Sequence, residues 1–121
     1  MADIEHTMST TTTVSHRFEG LSHVVPEWPG YSYTGKPAVI TRVVVSHRVT
    51  EDGIKDPEVY VTAYALKKDG TPRSDPMDTR FALSSFERGY SKEYALRKEL
   101  IEEYGADVAV EAQAVWQKLY A

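Results

Sequence analysis

The chain contains no cysteine. That removes disulfide frameworks, thiolate nucleophiles and cysteine-held zinc from the chemistry open to it. Long hydrophobic runs are also missing: no window of about 18 apolar residues occurs, so no membrane-spanning helix is expected. The opening stretch MADIEHTMSTTTT carries Asp3 and Glu5 without an apolar core, which does not fit a secretory signal. No glycine-rich phosphate loop, Gly-x-Ser-x-Gly elbow or His-Glu-x-x-His pair is present. An excess of basic charge is lacking too. The net charge is −4, so the chain as a whole has no electrostatic footprint for nucleic acid.

What remains is an ordinary globular composition, 41% hydrophobic and 26% charged over 121 residues. That is one domain by size, large enough to bury a core without staples. The acidity sits at the two ends: residues 1 to 40 hold four acids and two bases, and residues 91 to 121 hold six acids and four bases. Residues 41 to 90 balance eight against eight. The neutral middle is where alternation of side chains is strongest.

Residues 1–13 are polar and read as a flexible arm, with a single domain over 14–121. Residues 14–37 read as irregular chain, broken by Pro26, Pro29, Gly30, Gly35 and Pro37. Trp28, Tyr31 and Tyr33 give this segment aromatic surface to bury. From 38 to 50 the pattern is strand, with Val39, Thr41, Val43, Val45, His47 and Val49 on one face and Ile40, Arg42, Val44, Ser46 and Arg48 on the other. A second strand over 58–67 sets Val59, Val61, Ala63 and Ala65 against Tyr60, Thr62, Tyr64 and Leu66. A third, from Met77 to Leu83, opposes Met77, Thr79, Phe81 and Leu83 to Asp78, Arg80 and Ala82. Turn residues between them make an antiparallel meander.

The C-terminal third reads as helical. Ser84–Glu87 has the form of a capping box for a short turn ending at Gly89. A helix after Ser91 carries Leu96, Leu100, Ile101 and Tyr104 on one stripe, and Gly105 reads as its C′ residue. A second helix from Asp107 shows Val108, Ala112, Val115, Trp116 and Leu119; one long helix bent at Gly105 is the alternative. The expected fold is therefore α+β: a three- or four-stranded antiparallel meander with C-terminal helices on one face. The order of three strands followed by a helix resembles, in element order only, the N-terminal DNA-binding domains of tyrosine integrases.

The tetrapeptide Val-Ser-His-Arg occurs twice, at 14–17 and 45–48, in what read as unlike surroundings. His47 has the parity of the valines and is expected to be buried, whereas His16 and His23 are expected to be more exposed. No catalytic, cofactor-binding or metal-ligating set is assigned. The candidate residues form an interface: Trp28, Tyr31, Tyr33, Arg42, Arg48, Tyr60, Tyr64 and Arg80. Arginine, tyrosine and tryptophan are the types enriched at interface hot spots. The aromatic segment is expected either to cover Tyr60 and Tyr64 or to reach a neighbouring subunit. The functional expectation is a non-enzymatic protein-interaction or assembly module with a protein partner or self-association, intracellular and suited to a viral structural or accessory role. Nucleic-acid binding through the Arg/Tyr face ranks second, and a hydrolase-type enzyme using His47 third.

Overall fold

The computed structural model describes residues 11–29, 33–81 and 91–120. The first ten residues of the arm, Tyr31, the Ser84–Glu87 box with Gly89, and the side chain of Ser91 lie outside them. The described chain runs β1 (Thr12–Phe18), β2 (His23–Val25), β3 (Ala38–Thr50), β4 (Gly53–Ile54), β5 (Glu58–Ala65) and β6 (Met77–Phe81). Two helices follow, α1 (Ser91–Tyr104) and α2 (Ala106–Tyr120). The strands form one antiparallel sheet in the order β1-β3-β5-β6, with β2 and β4 also pairing β3. Among the described residues both helices lie on one face, α1 against β3 and β5, α2 against β1, β3 and β4. The α+β architecture is as the sequence implies.

The sheet has two strands more at its N-terminal side than the sequence reading allows. Residues 12–18 and 23–25, expected as arm and irregular chain, are β1 and β2, and both pair along the same side of β3. Their own alternation is obscured because Ser15, His16 and Arg17 are polar types placed in a strand. Tertiary pairing with the apolar run of β3 decides the outcome. Gly20, with φ 69°, breaks the edge into two pieces, and Leu21 N–H donates to the Thr41 carbonyl at 3.0 Å where it resumes.

The same level of the sheet holds a second departure. The pairing of β3 with β5 shifts register between Ile40 and Arg42, so Thr41 is an extra residue in a β-bulge. Because side chains alternate with a period of two, one extra residue reverses the parity of everything before it. Ala38 and Ile40 therefore join Val43, Val45, His47 and Val49 on the helix side, and Val39 turns outward with Arg42 and Val44. The single odd-numbered face expected for 38–50 holds only from Val43 onward.

The two Val-Ser-His-Arg copies turn out to be cross-strand partners. Val14 pairs His47, Ser15 pairs Ser46, and His16 pairs Val45, so a local twofold passes between the serines. Each valine lies beside the other copy's histidine on the helix side and Ser15 and Ser46 point out, yet the surroundings still differ, since His47 is buried and His16 is part-exposed beside Glu111.

The core is the helix-side face: Val43, Val45 and Val49 of β3, Val59, Val61, Ala63 and Ala65 of β5, Phe81 of β6, and Leu96, Leu100, Val108 and Ala112 from the helices. Ala63 and Ala65 are buried on this face, and α1 lies against β3 and β5. Helical hydrogen bonding continues through Gly105, whose N–H donates to Ile101 O at 2.7 Å while its carbonyl accepts from Ala109 N–H at 3.0 Å. Gly105 is not among the residues with positive φ, so it is no left-handed C′ cap. It is required for another reason: a Cβ there would sit 2.6 Å from the Ile101 carbonyl oxygen. The helical pair is one path bent at Gly105.

Arg97 is the unexpected member of the interior. It sits one position past the apolar stripe yet is only 5% exposed, with Nε donating to Phe81 O at 3.3 Å and Nη2 to Pro57 O at 2.5 Å. It joins α1 to the end of β6 and to the chain entering β5. Burial pushes its pKa down, and Asp56 opposes that shift. Among the described residues no carboxylate is in direct contact with it, and the guanidinium is held by backbone oxygens of Phe81 and Pro57.

Candidate functional site

The outward face of the sheet is fixed by strand parity and the pairing register. Across the strands, one row reads Arg17, Val44, Tyr60 and Arg80. The next reads Arg42, Thr62 and Asp78, with Glu19 lining the same shallow notch as those three. Ser15, Ser46 and Glu58 lie on one side of these rows, and Val24, Val39 and Tyr64 on the other. Tyr60 is 39% exposed and Val24 59%. Arg42, Arg48, Tyr60, Tyr64 and Arg80 thus share one face, as strand parity implies.

Trp28 does not join them. It is 1% exposed and packs edge-on against Phe81, ring centroids 6.1 Å apart, on the helix side of the sheet. The loop that carries it is pinned by Trp28 N–H donating to Lys36 O at 2.8 Å and Gly35 N–H donating to Trp28 O at 2.7 Å. The expectation that this ring covers Tyr60 and Tyr64, or meets a neighbouring subunit, is corrected: the ring belongs to the core of its own chain. The physical reason is burial: on the helix side the indole meets the Phe81 ring and is removed from water. Tyr33 is exposed, at φ 56°, and Arg73 stacks over its ring at 5.0 Å.

Electrostatically the outward face is mixed. Arg42 Nη2 lies 3.9 Å from Asp78 Oδ1, Arg80 Nη1 3.8 Å from Glu58 Oε1, and Arg17 Nη1 3.9 Å from Glu19 Oε2. Closer polar contacts are neutral-to-anion: Thr62 Oγ1 donates to Asp78 Oδ1 at 2.7 Å and Tyr60 OH to Glu58 Oε2 at 3.0 Å. Glu58 and Asp78 are thus held by hydroxyls, and the arginines sit at long ion-pair distances, Arg17 and Arg80 more than half exposed and Arg42 less so. Such pairs contribute about 0–1 kcal/mol and are easily exchanged for better ones. Arg48, near Thr50, Glu51, Asp52 and Lys55, borders a second shallow depression at the end of β3. Arg17, Glu19, Glu58 and Asp78 also belong to this surface, beyond the residues expected from sequence. Glu58 and Asp78 have the parity of Tyr60 and Arg80, which is a signal the sequence carries. Arg17 and Glu19 required β1 to be seen first.

The histidines divide as follows. His47 is 7% exposed on the helix side, as its parity implies, with Nδ1 3.3 Å from Lys55 O. Its Nε2 and the Trp116 indole nitrogen are buried without a hydrogen-bond partner among the described residues. His16 and His23 lie in strands, not irregular chain, and are less buried than His47. They meet carboxylates of the helices: His16 Nε2 to Glu111 at 2.5 Å and His23 Nε2 to Glu99 at 2.6 Å. Between them, Phe18 packs on Tyr104, centroids 5.2 Å apart. Burial, reinforced by Glu103 and Glu99, raises the Tyr104 pKa. Among the described residues no three His, Asp or Glu side chains gather as a metal set, and no helix is long and apolar enough to cross a membrane.

Set beside known proteins, the chain matches no family model, no curated protein and no solved structure.

Proposed function

We propose that the chain is a non-enzymatic protein-interaction or assembly module that docks a protein partner through the outward face of its sheet. One observation carries the reading. Among the described residues the helices and the Trp28 ring lie on the other face, and Arg42, Tyr60, Tyr64 and Arg80 stand side by side on this one, partly or fully exposed. Tyrosine and arginine bury large areas with few frozen torsions or with planar, multidentate hydrogen bonding, so they dominate interface energetics. The nucleic-acid reading has less support. The arginines are set among Glu19, Glu58 and Asp78, whereas a phosphate backbone calls for an unopposed cationic surface.

The test is light scattering of the full chain, alone and with added DNA or RNA, alongside affinity capture that compares the parent with a Tyr60→Ala, Arg80→Ala double variant. Protein association that the double variant loses supports the reading. A salt-sensitive mass increase with nucleic acid, or capture identical for parent and variant, overturns it.

A further inference from the structure

The outward face has a charge pattern that matches itself. The Arg17-Val44-Tyr60-Arg80 row has an arginine at each end; the adjacent Arg42-Thr62-Asp78 row ends in Asp78, and Glu19, one residue past β1, lines the same notch. The rows are two residues apart along the strands, roughly 7 Å. Resting on the interaction reading above, we infer that the partner of this face is a second copy of the chain, docked sheet to sheet about a twofold axis that runs across the strands midway between these rows.

The choice of axis follows from charge. A twofold across the strands lays each row on the partner's other row while keeping columns in place. Arg17 then faces the partner's Glu19 and Arg80 faces the partner's Asp78, and each contact occurs twice because the interface is isologous. Tyr60 comes over the partner's Thr62, and Arg42 lies near the partner's Val44 and Tyr60, within reach of a cation–π contact. A twofold along the strands would instead set Arg17 on the partner's Arg80 and Glu19 on its Asp78. Like charges would then oppose one another at every corner. Only the first axis is attractive, so the pattern selects one orientation as well as one partner.

The four corner side chains are more than half exposed, and their intrachain ion pairs are 3.8 to 3.9 Å long. Little is lost when they exchange to a partner. Four strands at about 4.8 Å spacing and the eight-residue length of β5 give a footprint on the order of 500 Å² per copy. A standard interface covers about 800 Å² per partner, so the dimer forms in a concentration-dependent way and dissociates on dilution. Solvent-exposed corner pairs also make it weaken as salt rises.

The experiment is sedimentation equilibrium of the full chain over a dilution series, with Asp78→Arg, Arg80→Asp and the combined Asp78→Arg, Arg80→Asp variant. Each single change turns two attractive contacts repulsive and raises the dissociation constant at least tenfold, on the order expected for exposed pairs. Mixing the two single variants restores attraction at both corners, as does the combined variant alone. Thermal unfolding checks that each remains folded. A parent that stays monomeric at every concentration overturns the twofold dimer while leaving a heterologous partner to the capture comparison above. A dimer indifferent to the single changes, or single variants that fail to associate when mixed, also overturns it. If capture too is the same for parent and face variant, the interaction reading itself falls.

Discussion

The two faces of the sheet share every strand and almost nothing else. On the helix side, Val43, Val45, Val59, Val61 and Ala63 leave essentially no surface exposed and pack on Leu100, Val108 and Ala112. On the outward side, threonine, tyrosine and paired charges stand in solvent, held by single hydroxyl-to-carboxylate hydrogen bonds. A residue's face, more than its type, therefore sets what it contributes. Tyr60 and Trp28 are both aromatic, but the first is available to a partner and the second stabilises the fold.

The comparison breaks most visibly at Trp28. Removing a fully buried large aromatic leaves a cavity that neighbours fill only in part, so Trp28→Ala should lose about 3–5 kcal/mol in urea unfolding, with no change in solution mass. A changed mass with unaltered stability would move the ring back to an interface. Arg97 comes next. Arg97→Ala strips the partners from the Phe81 and Pro57 carbonyls and empties the space between α1 and β6, for an expected loss of about 3 kcal/mol. Arg97→Met refills that space and removes the desolvated charge, so its loss should be smaller; equal losses would show that the hydrogen bonds, not the volume, carry the effect.

Gly105 sharpens the same contrast at the level of backbone. In an unstrained helix interior Gly→Ala stabilises by about 1 kcal/mol. Here the added methyl would meet a carbonyl oxygen at 2.6 Å, which only a shift of the bent helical path can relieve. Gly105→Ala should therefore destabilise, by about 1–3 kcal/mol in thermal or urea unfolding. A stabilised variant would mean that the bend relaxes freely and that close approach is not what the glycine serves.

Much of this contrast can be read from the amino acids, because alternation is a strong signal wherever one face is dry. Val59 to Ala65 against Tyr60 to Tyr64, Met77 and Phe81 against Asp78 and Arg80, and the buried His47 all follow from parity. The bulge at Thr41 does not. Thr41 has an ordinary strand type, and its extra place in the register is visible only against β5. β1 is hidden for a related reason: Val14, His16 and Phe18 face the helices in a segment whose polar and β-branched residues read equally well as loop, until β3 supplies a partner. The side of the sheet taken by Trp28 depends on its contact with Phe81, far away in sequence, which no local pattern encodes. Arg97 is masked by its own type, since arginines are seldom this buried.

The smallest expected effect lies on the outward face and is the most direct check that it is a surface at all. Arg42 makes one 3.9 Å ion pair with Asp78, and Arg48 borders a shallow polar depression at the end of β3. Exposed pairs contribute about 0–1 kcal/mol, and substitutions away from caps, cavities and buried networks typically stay within about 0.5 kcal/mol. Arg42→Ala combined with Arg48→Ala should therefore shift unfolding by less than about 1 kcal/mol, against several for Trp28→Ala on the other side. A loss of several kcal/mol would show that this face is packed rather than presented, and the interaction reading would lose its ground. The same variant separates the two kinds of partner. Were nucleic acid bound here, removing two cations would weaken binding at every sequence and flatten its dependence on salt. With a protein partner docked around Tyr60 and Arg80, nucleic acid should not bind the parent even at low salt.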